Sequence, residues 1–363
     1  MAGPLKGLTI IEMAGLGPGP FAAMMLADHG ARVIRVERPG NLSVPNDPLT
    51  RNRESIALDL KAEEGREIVR QLVRRADGLI EGYRPGVMEK LGLGPEELLG
   101  INPRLVYGRI TGWGQDGPLA SEAGHDINYL ALTGLLSCIG EPDRPPVPPL
   151  NLVADYAGGG LMLAFGMVAA LLNVQRGGQG QVIDAAMTDG AALTGALIFG
   201  LRAAGLWRDQ RGANLLDGGE PIYGCYTCAD GKELAVGAIE PQFRAALLET
   251  LGLPAAPSRA EMAAAIATRP RDEWLSMLAG RNACAAPVLS LGEAPHHPHN
   301  RARGTFIELD GVTQPAPAPR YSGTPVDAPR PPRREGEDGD VILAELGYSE
   351  ADIERLHEGG VVR

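Results

Sequence analysis

His125 and Asp155 are the two side chains of this sequence whose types and settings best suit proton transfer to and from carbon. His125 lies in Ala123-Gly124-His125-Asp126-Ile127-Asn128-Tyr129, and Asp155 in Asn151-Leu152-Val153-Ala154-Asp155-Tyr156-Ala157-Gly158-Gly159-Gly160. An imidazole and a carboxyl on opposite sides of one cleft make a two-base site, in which one group removes a proton and the other returns one to the opposite face. Such a pair inverts a carbon centre. Each residue also has a plainer role open to it. His125 could be a structural histidine, and Asp155 an N-cap for a long helix starting at Tyr156. A helix dipole would hold a capping carboxylate ionised, which suits a base but weakens it.

The elements around the pair are expected to form an α/β fold. Leu8–Ile11, Val33–Val36, Ser55–Leu60, Gly78–Glu81 and Leu105–Ile110 read as short apolar strands. Between them, Pro20–Asp28 and Glu63–Ala76 read as helices, the second with Ile68, Val69, Leu72 and Val73 on one face. This alternation predicts a doubly wound, Rossmann-like parallel sheet whose ligands sit at the carboxyl ends of its strands. Arg38, Arg51, Arg53, Lys61 and Arg84 fall at or near those ends, as a polyphosphate would require, although scattered surface charge is the simpler account. Domain boundaries are expected as follows: a large α/β domain over 1–205, a linker over 206–220, a small α+β domain over 221–312, a Pro-rich linker over 313–335, and a C-terminal helix over 336–363 returning to the large domain. The small domain is expected to open with a hairpin of Ile222–Cys228 and Glu233–Ala238 about Asp230-Gly231. Helices near Gln242–Leu251, Ala260–Thr268 and Arg271–Leu278 follow, and Ser349 caps a last helix through His357.

Composition narrows the function. A net charge of −11 argues against a nucleic-acid partner. Four cysteines are too few for a disulfide scaffold. The seventeen uncharged residues Tyr156–Leu172 read as a core helix rather than a membrane span. No charged-then-apolar leader is visible and Val361-Val362-Arg363 is no peroxisomal address, so the expected location is cytoplasmic. Gly15-Leu16-Gly17-Pro18-Gly19-Pro20 suggests a dinucleotide loop, with Glu37 as its ribose acid, but the third glycine is missing and Pro18 removes a needed N–H. Cys225-Tyr226-Thr227-Cys228 sits inside a strand, and His296-His297-Pro298-His299 reads as a solvated loop, so no metal site is expected.

Several segments in order resemble the class III coenzyme A transferase (CaiB/BaiF) superfamily, in its α-methylacyl-CoA racemase branch. They are Leu16-Gly17-Pro18-Gly19-Pro20, Glu37-Arg38-Pro39, Glu81-Gly82-Tyr83-Arg84-Pro85-Gly86, Arg109-Ile110-Thr111-Gly112-Trp113-Gly114-Gln115, the His125 segment, and Gly178-Gln179-Gly180-Gln181-Val182-Ile183-Asp184. The resemblance continues through Ala235-Val236-Gly237-Ala238-Ile239-Glu240 and Ala318-Pro319-Arg320.

It implies that His125 and Asp155 are the acid/base pair acting on the α-carbon of an acyl-CoA, with Glu240 supporting the histidine. CoA contacts would fall on Arg38, on Leu58, Asp59, Leu60 and Lys61, on Gly82, Tyr83 and Arg84, and on Gly124 through Asn128 and Tyr129. Lys90 stands where close relatives place an arginine, a point charge in place of a bidentate fork. The resemblance further implies interlocked homodimers, with Glu240 arriving from the partner, and no cofactor beyond the CoA of the substrate itself. Within the superfamily, transferases use an aspartate at the place of Asp126 as the nucleophile that forms an acyl anhydride. A class III transferase acting through Asp126 is therefore the alternative, and a CoA-binding scaffold without chemistry a third. His125 favours the racemase, because a transferase needs no base at the α-carbon.

Overall fold

The computed structural model describes residues 2–40 and 46–363. The chain divides into two compact units. The first comprises Met1–Thr133, Pro149–Thr194 and Phe306–Arg363, and the second Gly134–Pro148 and Gly195–Thr305.

The first unit is built on a six-stranded sheet. Strands β1 (Thr9–Met13), β2 (Arg32–Glu37), β3 (Arg53–Ala57), β4 (Gly78–Glu81), β5 (Val106–Thr111) and β6 (Gln181–Ala186) lie in the order β3-β2-β1-β4-β5-β6, every pair parallel. This is the doubly wound arrangement expected, with its switch point between β1 and β4. The central strands are buried on both faces because helices cover both. Helices α1 (Pro18–Asp28), α2 (Glu63–Arg75), α3 (Val87–Lys90) and α4 (Pro95–Ile101) connect the first strands. Then α5 (Asp126–Leu132), a π-helix (Leu152–Leu161), α6 (Met162–Gln175) and α7 (Met187–Thr194) complete this part of the unit.

The π-helix and α6 run on as 24 residues, long and apolar enough to cross a membrane. Half of the most apolar stretch is buried, and Leu163 and Met167 lie against β5, where a Cβ on Gly108 would come within 2.8 Å of both side chains. The expected core helix is thus present but begins earlier than Tyr156. Asp155 is not its N-cap; it lies inside the first turns, behind Asn151.

The second unit holds α8 (Ala196–Ala203), the hairpin β7 (Tyr223–Thr227) and β8 (Glu233–Gly237), and α9 (Pro241–Leu251), α10 (Arg259–Ile266) and α11 (Arg271–Leu278). A third strand, β9 (Ala285–Pro287), pairs with β8, and α12 (Pro298–Arg303) follows. Its core gathers Leu234, Val236, Leu247, Leu248, Met262 and Trp274.

The unit limits differ from the boundaries expected at 205, 220, 312 and 335. Residues 134–148 belong to the second unit because the Arg211 guanidinium donates to the carbonyls of Ser137, Glu141 and Arg144. The hairpin β10 (Phe306–Leu309) and β11 (Val312–Pro315) belongs to the first unit, where buried Arg51 donates to Gln314 Oε1 (2.8 Å) and to Pro315 O (2.7 Å). The proline-rich stretch that follows has no regular element and is tied to Asn52 through both backbone groups of Arg330. Helices α13 (Gly339–Leu346) and α14 (Glu350–Glu358) close the chain. The Ser349 cap is present, and Ile342, Leu343, Leu356 and Val362 join the core over the sheet, as expected of a returning C-terminus.

Candidate active site

His125 has extended backbone and immediately precedes α5, its N–H donating to Asn128 Oδ1 (3.1 Å). The imidazole is exposed. Behind it the chain is pinned by Tyr129, whose ring lies so close to Gly112 and Gly124 that a Cβ on either would fall within 2.6 Å of it. The Tyr129 hydroxyl donates to Gly124 O, and the Trp113 indole meets the ring edge-on at 4.7 Å. Only glycine permits this approach.

Asp126, the first residue of α5, points inward and is 4% exposed. Its Oδ2 accepts the N–H groups of Ala154 (2.7 Å) and Asp155 (2.8 Å), while among the described residues its buried Oδ1 has no partner. Asp155 is half-buried in the π-helix. Asn151 donates to its Oδ2 (3.3 Å), and Gly17, the N-cap of α1 at φ 68°, lies beside it with room for a Cβ only 3.6 Å from that oxygen. Burial raises the Asp155 carboxyl above the usual carboxylate range. The Asn151 hydrogen bond opposes the rise, the Asp126 charge adds to it, and the His125 charge opposes it. His125 and Asp155 are therefore close enough to feel each other electrostatically, and burial, with the Asp155 charge, pushes the Tyr129 phenol up. The dipole-held, weakened carboxylate expected for Asp155 gives way to a carboxyl raised chiefly by burial.

Three consecutive glycines let the π-helix sit where it does. A Cβ on Gly158 would lie 2.4 Å from Ala191 N, one on Gly159 2.8 Å from Met187 Cγ, and one on Gly160 2.7 Å from Phe21 Cδ1. The helix thus seats against α7 on one side and α1 on the other, which presents Asp155 beside Gly17. Extended i→i+5 helices are uncommon and recur at functional sites.

The residues expected to hold CoA fall into two groups. Arg38, Lys61, Arg84 and Lys90 are exposed, and the first three follow the carboxyl ends of β2, β3 and β4. Glu81 shapes the Gly82–Arg84 turn by accepting the Tyr83 N–H (2.7 Å) and the Arg109 guanidinium (2.8 Å). Other expected contacts have partners within the chain. The Leu58 side chain is fully buried in the core, half-exposed Asp59 accepts the Lys61 N–H in a local surface turn, and Tyr129 is a buried strut with its hydroxyl occupied. Arg51 and Arg53 are also internal, each 2% exposed. Arg51 pairs with Asp28, and Arg53 with Glu12, which Arg35 grips at 2.5 Å from the other side. Burial disfavours the Glu12 charge, but the two guanidiniums outweigh it and hold the carboxyl below its usual range.

Glu37 is likewise occupied, by Arg35 and by the Ser55 hydroxyl, which leaves the dinucleotide reading without its acid. Glu240 is exposed in the second unit, as the N-cap of α9. No group of three or more potential metal ligands occurs among the described residues. The contacts of Asn151 and Gly17 with the Asp155 carboxyl were not expected from sequence. Asn151 precedes Asp155 by one i, i+4 step, a spacing that carries the signal.

The model of CoA-transferase family III matches residues 5–339. The chain belongs to CoA-transferase family III. Among curated members of the family, it is 47% identical to the mouse alpha-methylacyl-CoA racemase over 99% of its own length and 97% of the relative. The human alpha-methylacyl-CoA racemase is 45% identical over the same shares. Among solved structures of the family, a CAIB/BAIF family protein from Brucella suis superposes with a TM-score of 0.83 at 30% identity, covering 95% of this chain and 100% of that one.

Proposed function

We propose that this protein is a racemase of 2-methylacyl-CoA thioesters. The observation that carries the reading is the juxtaposition of His125 and a half-buried Asp155 in a chain similar throughout its length to two alpha-methylacyl-CoA racemases. A thioester acidifies its α-carbon. Neutral His125 takes the α-proton, the C–H electron pair moves into an enolate, and the carboxyl O–H of Asp155 delivers a proton to the opposite face. The imidazole is then protonated and the carboxyl ionised, so the reverse direction starts from the state in which the forward one ends. The Asp126 N–H, which has no acceptor among the described residues, is a preorganised donor for the enolate oxygen.

An ordinary aspartic acid, at about 3.9, is some 2.6 units more acidic than an imidazole, at about 6.5, so near neutral pH little of its proton-donating form is present and its carboxylate is a weak base. Burial raises Asp155 and narrows that gap. The scheme uses no cofactor. Exposed Arg38, Lys61, Arg84 and Lys90 supply the positive edge for the CoA phosphates, and Glu240 is assigned the support of the histidine. Leu161, Phe165, Val168 and Leu172 form an exposed apolar stripe at helical spacing on and just before α6, which supports assembly as a homodimer.

Separate His125→Ala and Asp155→Ala variants test the pair. Each should abolish inversion while exchange of the α-proton on the remaining face persists. Inversion at more than about a tenth of the parent rate in either variant would exclude the two-base scheme, since loss of a general acid or base costs about 10²–10⁴-fold.

A further inference from the structure

The Asp126 carboxylate joins the backbones that carry both bases. Asp126 directly follows His125 and begins α5, and its Oδ2 holds the N–H groups of Ala154 and Asp155 at 2.7 and 2.8 Å. The path from one base to the other is therefore a single peptide unit, one side chain and one hydrogen bond. Ala154 is fully buried, so its N–H has no water to fall back on. We propose that Asp126 is a positioning residue for the α-proton transfer, fixing Asp155 relative to His125, and is not an acyl-accepting nucleophile. This rests on the racemase reading above.

Two observations carry it. A nucleophilic carboxylate must present an oxygen to the thioester, yet Asp126 is almost wholly buried, its unpartnered Oδ1 included, and an anhydride on Oδ2 would break both of its hydrogen bonds. The second concerns charge. The groups facing Asp155 are His125, Asp126 and Tyr129 from the α5 segment, Asn151 from its own helix, and uncharged Gly17 at the start of α1. On the α7 side the contacts are Met187, Gly190 and Ala191, and the acidic residue of α7, Asp189, is exposed and not among the charges acting on Asp155. Among the described residues Asp126 is thus the one anion that disfavours the Asp155 charge.

The two chemical directions draw on the same singly protonated pair, so both share an acid limb governed by Asp155. Asp126→Asn tests this directly. The asparagine oxygen can accept the same two N–H groups while the charge is lost. With one epimer of a 2-methylacyl-CoA as substrate, the variant should keep α-proton exchange within about tenfold of the parent, and the acid limb of kcat/KM should move to lower pH in both directions. Asp126→Ala, which loses the acceptor as well, should lower kcat about 100-fold with KM changed less than about threefold, as expected for a misplaced base in a folded protein. Circular dichroism and Tm establish that it is folded. An acid limb that stays put in Asp126→Asn overturns the proposal, as does loss of inversion as complete as in Asp155→Ala. A parent enzyme without α-exchange would instead overturn the racemase reading itself.

Discussion

The seat of the π-helix makes a sharp prediction at Gly190 of α7. A Cβ there would lie 1.8 Å from Gly158 O, where about 3.0 Å is the closest approach that real contacts show. The obstacle is backbone, so no side chain can swing aside, and Gly190→Ala must part the two helices by at least about 1.2 Å. Asp155 lies three residues before Gly158 on the same helix and shares that displacement. A shift of about 1 Å in a catalytic group costs about 10²-fold in rate, and forcing an extra methyl into a packed contact costs about 1–3 kcal/mol in stability. Gly190→Ala should therefore remain folded at 25 °C, with a modestly lowered Tm, and lose about 100-fold in the rate of inversion, measured by appearance of the opposite epimer from a single-epimer substrate. Gly200→Ala, on exposed α8 with open space around its Cβ position, is the control and should leave the rate unchanged. A Gly190→Ala enzyme within threefold of the parent would refute the claim that this glycine contact sets the position of Asp155.

Three further outcomes follow from the same structure. Glu12→Gln leaves the buried Arg35 and Arg53 guanidiniums without their shared anion. Breaking such a pair costs about 3–5 kcal/mol, so Tm should fall by roughly 10 °C in a thermal melt, and a change below about 2 °C would contradict the internal role given to Arg53. The Asp155 carboxyl is raised, so a larger fraction is protonated at any given pH, and activity should fall with acidification at a higher pH than an ordinary aspartate dictates; an acid limb at or below about 3.9 in kcat/KM would count against it. Replacing exposed Arg84 or Lys61 by alanine should raise KM roughly tenfold, more at low salt, with kcat held, since each charge-assisted contact is worth about 1.5–3 kcal/mol. An unchanged KM would remove that residue from the CoA site.

Much of the sheet was legible because β1, β2, β4 and β5 are runs of buried apolar residues between helical periods. Strand β6 was not, because it lies at the edge with Gln181, Val182 and Asp184 exposed and so lacks the buried pattern. Strand β9 is three residues ending in proline and carries no local signal. The start of the long helix was misjudged for a different reason. Its first N–H groups are satisfied by Asp126, 28 residues earlier in sequence, a long-range cap that no local rule contains. Arg51 and Arg53 looked like ligand-edge charges because their partners, Asp28 and Glu12, lie 23 and 41 residues away. The pair His125 and Asp155 was legible from residue type and small-residue setting. Sequence alone does not place the Asp126 carboxylate under the backbone of Asp155.

The central claim, proton transfer at the α-carbon, is tested most directly by incubating the protein with a single epimer of a 2-methylacyl-CoA in D₂O, with and without a free carboxylate. Deuterium at the α-carbon of both epimers, appearing as the mixture approaches equal amounts and at a rate indifferent to the carboxylate, is the predicted result. New thioester formed only when the carboxylate is present, with the α-proton retained and the configuration unchanged, would contradict it.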